Sequence, residues 1–133
     1  MSGILEWTKS LFGLKNELDD LKEQKLKQIE ERKIMLRRLE DIEKSCPSAV
    51  NAYRKLHTYI GLKQQEDILK SGFSGMLEVS KKQLETTNRY YANFNRLLNN
   101  KRPKICLCLR ELIEEDRKIA CENEPELNFV ITY

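Results

Sequence analysis

The 133-residue sequence has few residues that interrupt helices and none of the motifs that mark common enzymes. It contains 5 glycines, 3 prolines and a single histidine. A membrane-spanning helix needs about 18 uninterrupted apolar residues, and no stretch of the sequence approaches this. Walker A, dinucleotide-binding glycine, HExxH and GxSxG motifs do not occur. The sequence therefore predicts a protein that is not an enzyme, needs no cofactor and does not cross a membrane.

Four cysteines and one histidine are the candidate ligands of a structural zinc site, and their spacing does not suit one. A structural zinc site needs four ligands, usually in closely spaced pairs, so we expect no bound metal. The first residues carry Glu6 inside their apolar part, unlike a secretory signal. Without such a signal, widely spaced cysteines are typical of reduced thiols. A cytoplasmic location follows as the expectation.

Helix-favouring residues with a helical period dominate the chain. Charged residues make up 34% and hydrophobic residues 40%, which is typical of all-α and coiled-coil proteins. Breaks are expected at Cys46-Pro47, at 71–75 and at 99–103, because glycine, serine and proline cluster there. We predict a single helical domain over 1–133, an antiparallel bundle with a long, coiled-coil-like first helix. Its helices cover 2–44, 47–70, 76–100 and 103–121, followed by an extended tail over 122–133.

A heptad pattern runs through the first helix. Eight of the eleven positions in a 4-3 alternation between 7 and 42 are apolar, as in the seam of a coiled coil. A helix of this length would extend beyond shorter partners and leave its seam to another subunit. The pattern predicts self-association, with a dimer favoured, through Trp7, Leu11, Leu14, Leu18, Leu21, Met35 and Leu39.

A basic stripe on the third helix suggests a second function. Arginine and lysine bind phosphates, and asparagine can also bond base edges. The same residues would equally suit an acidic protein partner or ion pairs with the acidic fourth helix. Nucleic-acid binding is therefore the alternative function, with contacts expected at Lys82, Arg89, Asn93, Arg96, Lys101 and Arg102, and with Tyr90 beside them to stack on a base.

The segment "RPKICLCLREL" (102–112) holds two cysteines at i and i+2. In a helix these point about 200° apart, so Cys106 and Cys108 lie at opposite edges of one apolar arc. Buried core residues are the favoured interpretation, with a reactive thiol at Cys106 as the alternative because of its position in the first helical turn. Leu107 falls among the charges, and we expect it to be exposed or to contact a partner.

The sequence thus favours a cytoplasmic adaptor or regulatory protein that self-associates and binds another protein. Nucleic-acid binding is the second hypothesis. Attachment to a membrane surface is a third, less favoured one, because Trp7 and Phe12 lie in a short amphipathic segment near the start. His57 is expected to be a boundary residue without a catalytic role.

Overall fold

The computed structural model describes residues 2–99 and 104–123, with side chains described for 8–99 and 104–122. These residues form three helices: α1 (Ser2–Glu43), α2 (Pro47–Leu98) and α3 (Ile105–Asn123). No strand occurs in these two ranges. The predicted all-α bundle with a long first helix is confirmed. The expected tail lies outside the described residues except for Glu122 and Asn123, which belong to the last turn of α3.

The turn between α1 and α2 is short. The backbone amides of Ser45 and Cys46 both donate to the carbonyl oxygen of Ile42, at 3.1 and 3.0 Å. Pro47 opens α2, where its missing amide hydrogen costs no helical bond and its fixed φ suits the first turn. The chain therefore reverses at the Cys46-Pro47 break that the sequence predicts.

α2 consists of two antiparallel arms joined at Gly72. This glycine has φ 69° and ψ 177° inside an otherwise helical segment, a combination that is essentially restricted to glycine. The rings of Tyr53 and Phe94 are 6.2 Å apart, whereas a straight helix would separate them by about 60 Å. The two arms, 47–71 and 73–98, take the place of the helices expected over 47–70 and 76–100. One glycine reverses the chain, so Ser74 and Gly75 remain helical instead of forming a loop.

The four helical segments (α1, the two arms of α2, and α3) run alternately up and down. Gln28 donates to Asn88 at 2.9 Å and Arg38 donates to the carbonyl oxygen of Leu98 at 3.3 Å. Both contacts join residues 60 positions apart, so α1 is parallel to the second arm. The contacts between the second arm and α3 run in opposite sequence order, which makes these two antiparallel. α3 begins at Ile105, slightly later than expected, and Pro103 is outside the described residues.

The core lies in the half of the bundle away from Gly72. It consists of apolar side chains from α1, both arms of α2 and α3, which pack together where these four segments lie side by side. The most deeply buried apolar residues are Leu39, Val50, Tyr53, Leu56, Leu98, Leu109, Leu112 and Ile113.

A disulfide between Cys46 and Cys106 joins the start of α2 to the first turn of α3. It corrects the expectation of reduced thiols for these two cysteines and removes the alternative of a reactive thiol at Cys106. The two cysteines are 60 residues apart in sequence, so their spacing gives no sign of the bond. They meet because the first arm and α3 run in the same direction and begin at the same end of the bundle, with Cα atoms 5.5 Å apart. Cys108 and Cys121 remain thiols.

None of the helices described is both long enough and apolar enough to cross a membrane. Among the same residues, no group of three or more His, Cys, Asp or Glu side chains is placed to hold a metal ion.

Candidate functional site

The first half of α1 carries an exposed apolar stripe. Leu11, Leu14 and Leu18 are 45%, 44% and 48% exposed; we call these three residues the α1 stripe. The nearest exposed aromatic, Phe12, lies off the stripe by one residue. Trp7 continues the heptad pattern, but its side chain is outside the described set. Three leucines on one face of a helix, each about half exposed, leave this part of the predicted seam without full cover from the residues that the structure describes.

The second half of the predicted seam is occupied within the molecule. Met35 and Leu39 are buried in the core, so both must be removed from the expected self-association seam. The physical reason is that a heptad repeat drifts by about 20° per heptad around a straight α-helix. Over the three or four heptads that separate them from Leu14 and Leu11, the seam turns toward the arms of α2.

The middle of the seam also faces the bundle. Leu21 is half-buried. The side-chain amide of Gln28 donates to the backbone carbonyl oxygen of Leu84 at 3.0 Å. The backbone carbonyl oxygen of Gln28 accepts from the Tyr91 hydroxyl at 3.2 Å. These contacts fix the register of α1 against the second arm. Among the apolar seam residues whose side chains are described, the three of the α1 stripe are the exposed ones.

More exposed apolar residues lie at the same end of the bundle. Leu69, Phe73 and Met76 surround Gly72 and are exposed; we call them the tip cluster. Lys81 in the second arm is 3.5 Å from Glu17 in α1. Because these two helices are parallel, the α1 stripe lies level with the hairpin tip.

The basic stripe of the sequence faces α3. Arg89 contacts Glu122 at two points, 2.9 and 3.5 Å, and this bond lowers the pKa of Glu122. Arg96 pairs with Glu115. The pairing with the acidic fourth helix, which the sequence left as one alternative, is therefore what the structure shows for these two arginines.

The remaining members of the basic stripe are divided. Asn93 donates to Asp116 in α3 at 3.3 Å. Lys82 lines a groove between the two arms. Lys101 and Arg102 are outside the described residues. Tyr90, expected beside the stripe to stack on a base, is buried in the core.

Leu107 is 60% exposed on α3. This position agrees with the helical geometry that places it among charged residues. Its neighbours Cys106 and Cys108 are half-buried and pack against the core. Partner contact by Leu107 stays a prediction.

A buried polar cluster, not foreseen from the sequence, joins the first arm to α3. His57 Nε2 lies 2.8 Å from Asp116 Oδ2, and Asn93 bonds the other carboxylate oxygen. The His57 ring is 4.4 Å from that of Tyr53 and packs edge-on against Tyr90 at 5.2 Å. Asp116 is fully buried.

Burial governs the electrostatics of this cluster. It raises the pKa of Asp116, an effect opposed by the hydrogen bond and positive charge of His57. Burial also raises the pKa of the Tyr53 hydroxyl, and the negative Asp116 adds to the rise. Tyr53 therefore stays protonated and donates to Met35 Sδ at 3.3 Å. Chemically, the cluster holds an imidazole in a fixed orientation and ties three helical segments together.

Asp116 could have been found from the sequence. On an ideal helix it falls at the centre of the apolar arc formed by Ile105, Leu109, Leu112 and Ile113, about 20° from Ile105. An acidic residue at that position is buried and needs a paired or hydrogen-bonded partner. His57, the only histidine in the sequence, is a candidate for that partner.

No family model, curated protein or solved structure matches the chain. The function is accordingly inferred from the α1 stripe, the ion-paired second arm and the buried His57–Asp116 pair.

Proposed function

We propose that the protein is a non-enzymatic adaptor or regulatory protein that self-associates through the α1 stripe. The observation that carries the proposal is the exposure of Leu11, Leu14 and Leu18 on a helix whose later heptad positions are buried in its own bundle. One half of the heptad repeat thus packs inside the bundle, and the α1 stripe in the other half stays exposed on its surface.

The energetics favour covering this surface. Full burial of a leucine contributes about 2 kcal/mol relative to full exposure. Six half-exposed leucines from two copies would then supply on the order of 6 kcal/mol before the entropic cost of association. The tip cluster lies at the same end of the molecule and would add apolar area to such an interface.

A double substitution in the stripe tests the proposal. Leu14→Asp with Leu18→Asp places two charges on the surface that a second copy would cover. We expect the wild type to sediment as a dimer and the variant as a monomer in analytical ultracentrifugation. Because the stripe is outside the core, helix content should stay near the wild-type value, and the denaturation midpoint should match that of the wild type at concentrations where it is monomeric.

A matched control distinguishes the general effect of replacing exposed apolar residues by aspartate from the specific loss of the α1 stripe. Ile34 and Leu62 are 64% and 60% exposed and lie off the stripe. Ile34→Asp with Leu62→Asp should therefore remain dimeric. A dimer in the stripe variant, or a monomeric wild type at 100-fold the assay concentration, would contradict the proposal.

The other hypotheses have less support. Arg89 and Arg96 already bind acidic side chains, so nucleic acid would have to compete with α3 for them. Binding to a membrane surface would use Trp7 and Phe12. A Phe12→Asp variant that still dimerises but no longer co-sediments with liposomes would distinguish it from self-association.

The proposal also includes binding of a second, different protein and a cytoplasmic location. The Cys46–Cys106 disulfide bears on the location, because such bonds persist mainly in oxidising compartments. Alkylation of cells lysed in denaturant tests the location: a reducing cytoplasm that opens this bond predicts four alkylated cysteines, whereas two protected cysteines would indicate an oxidising compartment.

A further inference from the structure

A groove runs between the two arms of α2 on the side where α3 stops short of the hairpin tip. Its volume is about 400 Å³, within the range of pockets that bind ligands or peptide segments. One end is formed by Tyr90 and Ala120, and the other by Lys70 and Ser71 beside Gly72. α3 ends at Asn123, so the groove continues the path along which α3 covers the arms.

The walls of the groove combine apolar and basic groups. Ile60 and Val79 supply apolar surface. The lysines in the lining are Lys63, Lys70 and Lys82, against one acidic residue, Asp67. Lys63 and Lys70 also contact Glu66 at 3.5 and 2.6 Å. The groove therefore suits a segment with an apolar face and flanking acidic residues.

We propose that residues 124–133 of the chain bind in this groove as an extended segment. Its sequence, EPELNFVITY, places Leu127, Phe129 and Ile131 at alternate positions, which share one face of an extended chain. Glu124 and Glu126 precede them and would lie close to the lysines. This inference does not depend on self-association, because no α1 residue lines the groove.

The lengths agree. Ten extended residues span about 33 Å at 3.3 Å per residue. The second arm between Phe73 and Tyr90 covers about 26 Å at 1.5 Å per residue. A segment that leaves α3 beside Tyr90 can therefore reach the hairpin tip without crossing another helix.

Covalent continuity favours this segment over a separate molecule. A segment tethered at Asn123 has an effective concentration in the millimolar range, and it starts at the end of the groove. Alternating apolar residues in the segment match a groove with apolar walls, and two acids match a net positive lining. A segment from a second copy has the same chemistry but lacks the tether.

Hydrogen exchange of three chains tests the proposal: the full chain, a chain ending at Asn123, and the full chain with Leu127→Asp and Phe129→Asp. We expect amides in 60–71 and 79–90 to exchange about tenfold faster in the truncated chain, since the groove walls lose their cover. The double variant should match the truncated chain. Amides in 105–113, which lie away from the groove, serve as the internal control.

Adding the peptide 124–133 to the truncated chain supplies a second measurement. Amide chemical shifts of Gln64, Lys82, Gln83 and Thr86 should move toward their values in the full chain. Equal exchange in all three chains, or shifts confined to 118–123, would overturn the proposal. Protection that appears only on raising the concentration of the full chain would also overturn it, since the occupant would then be a second copy.

Discussion

At Asp116 a single carboxylate couples two helices through a buried polar contact. The His57 ring and the Asn93 amide each bond one of its oxygens. Removal of the carboxylate would leave both partners without an acceptor inside the bundle, and an unsatisfied buried polar group costs about 1–3 kcal/mol. Its contribution also depends on pH, because Asp116 titrates differently in the folded and unfolded chains.

We predict that the stability of the wild type relative to Asp116→Asn falls as pH rises above 3.8. Burial raises the folded-state pKa of Asp116 above its usual 3.8, with His57 opposing the rise. The folded state thus binds this proton more tightly than the unfolded chain. The stabilisation is complete below 3.8 and is lost as pH rises through the folded pKa. Urea unfolding of both proteins between pH 3 and pH 7 measures the difference, and subtraction removes effects shared by the two.

His57→Gln provides the control for that experiment. It removes the charge that lowers the pKa of Asp116, so the loss of stability should extend to higher pH than in the wild type. A difference between wild type and Asp116→Asn that does not change with pH would show that Asp116 titrates alike in both states.

Residues of the apolar arc and Leu107 could be placed from helical geometry alone. The periodicity of α3 assigns each side chain an angle, and exposure follows from it. The pairing of His57 with Asp116 could not be placed in the same way, because it requires knowing that the first arm and α3 run side by side in the same direction. Periodicity within one helix carries no information about its neighbours.

At the level of the helices, Gly72 decides that α2 is a hairpin. Its φ of 69° is costly for any residue with a Cβ, whereas no atom lies within 4 Å of the place that a Cβ would take. The requirement for glycine is thus in the backbone and not in packing. Gly61 differs: it lies inside the first arm without a positive φ, also with nothing within 4 Å.

This contrast predicts opposite effects for the same substitution. Gly72→Ala should destabilise the protein by about 1–3 kcal/mol, because it forces alanine into a strained conformation. Gly61→Ala should stabilise it by about 0.4–1 kcal/mol, because alanine loses less conformational entropy in a helix. Guanidinium unfolding of the two variants beside the wild type measures both. Equal destabilisation by the two would mean that steric contact and not backbone strain sets the cost.

The helical elements were largely predictable, because glycine, proline and heptad spacing mark their ends. The function of the α1 seam was less so. A strict 4-3 repeat looks continuous in sequence, yet Met35 and Leu39 turn into the bundle while Leu11 and Leu14 do not. The position at which the repeat turns into the bundle depends on its drift around α1 and on where the arms of α2 pack, and the repeat itself does not encode that packing.

At the scale of the whole molecule, the Cys46–Cys106 bond closes the base of the bundle. It joins the α1–α2 turn to the start of α3, and the polypeptide between the two cysteines contains the whole α2 hairpin. Without the bond, α3 is held to the rest by the core, by the His57–Asp116 pair and by ion pairs along the second arm. Exposed ion pairs contribute little, so the bond and the core are the main restraints on α3.

Reduction should therefore lower the stability of the molecule substantially. For a closed loop of 60 residues, the entropy removed from the unfolded chain corresponds to about 4 kcal/mol. We expect a reducing agent to lower the free energy of unfolding of the wild type by about 2–4 kcal/mol.

Two double variants serve as controls. The Cys46→Ala/Cys106→Ala variant should have the lower free energy of unfolding with or without reductant, whereas Cys108→Ala/Cys121→Ala should respond to the reductant as the wild type does. Denaturant titrations with and without reductant, with alkylation and mass spectrometry to count thiols, distinguish these cases. An unchanged wild type on reduction would contradict the prediction, because breaking a bond that constrains the unfolded chain must lower the free energy of unfolding.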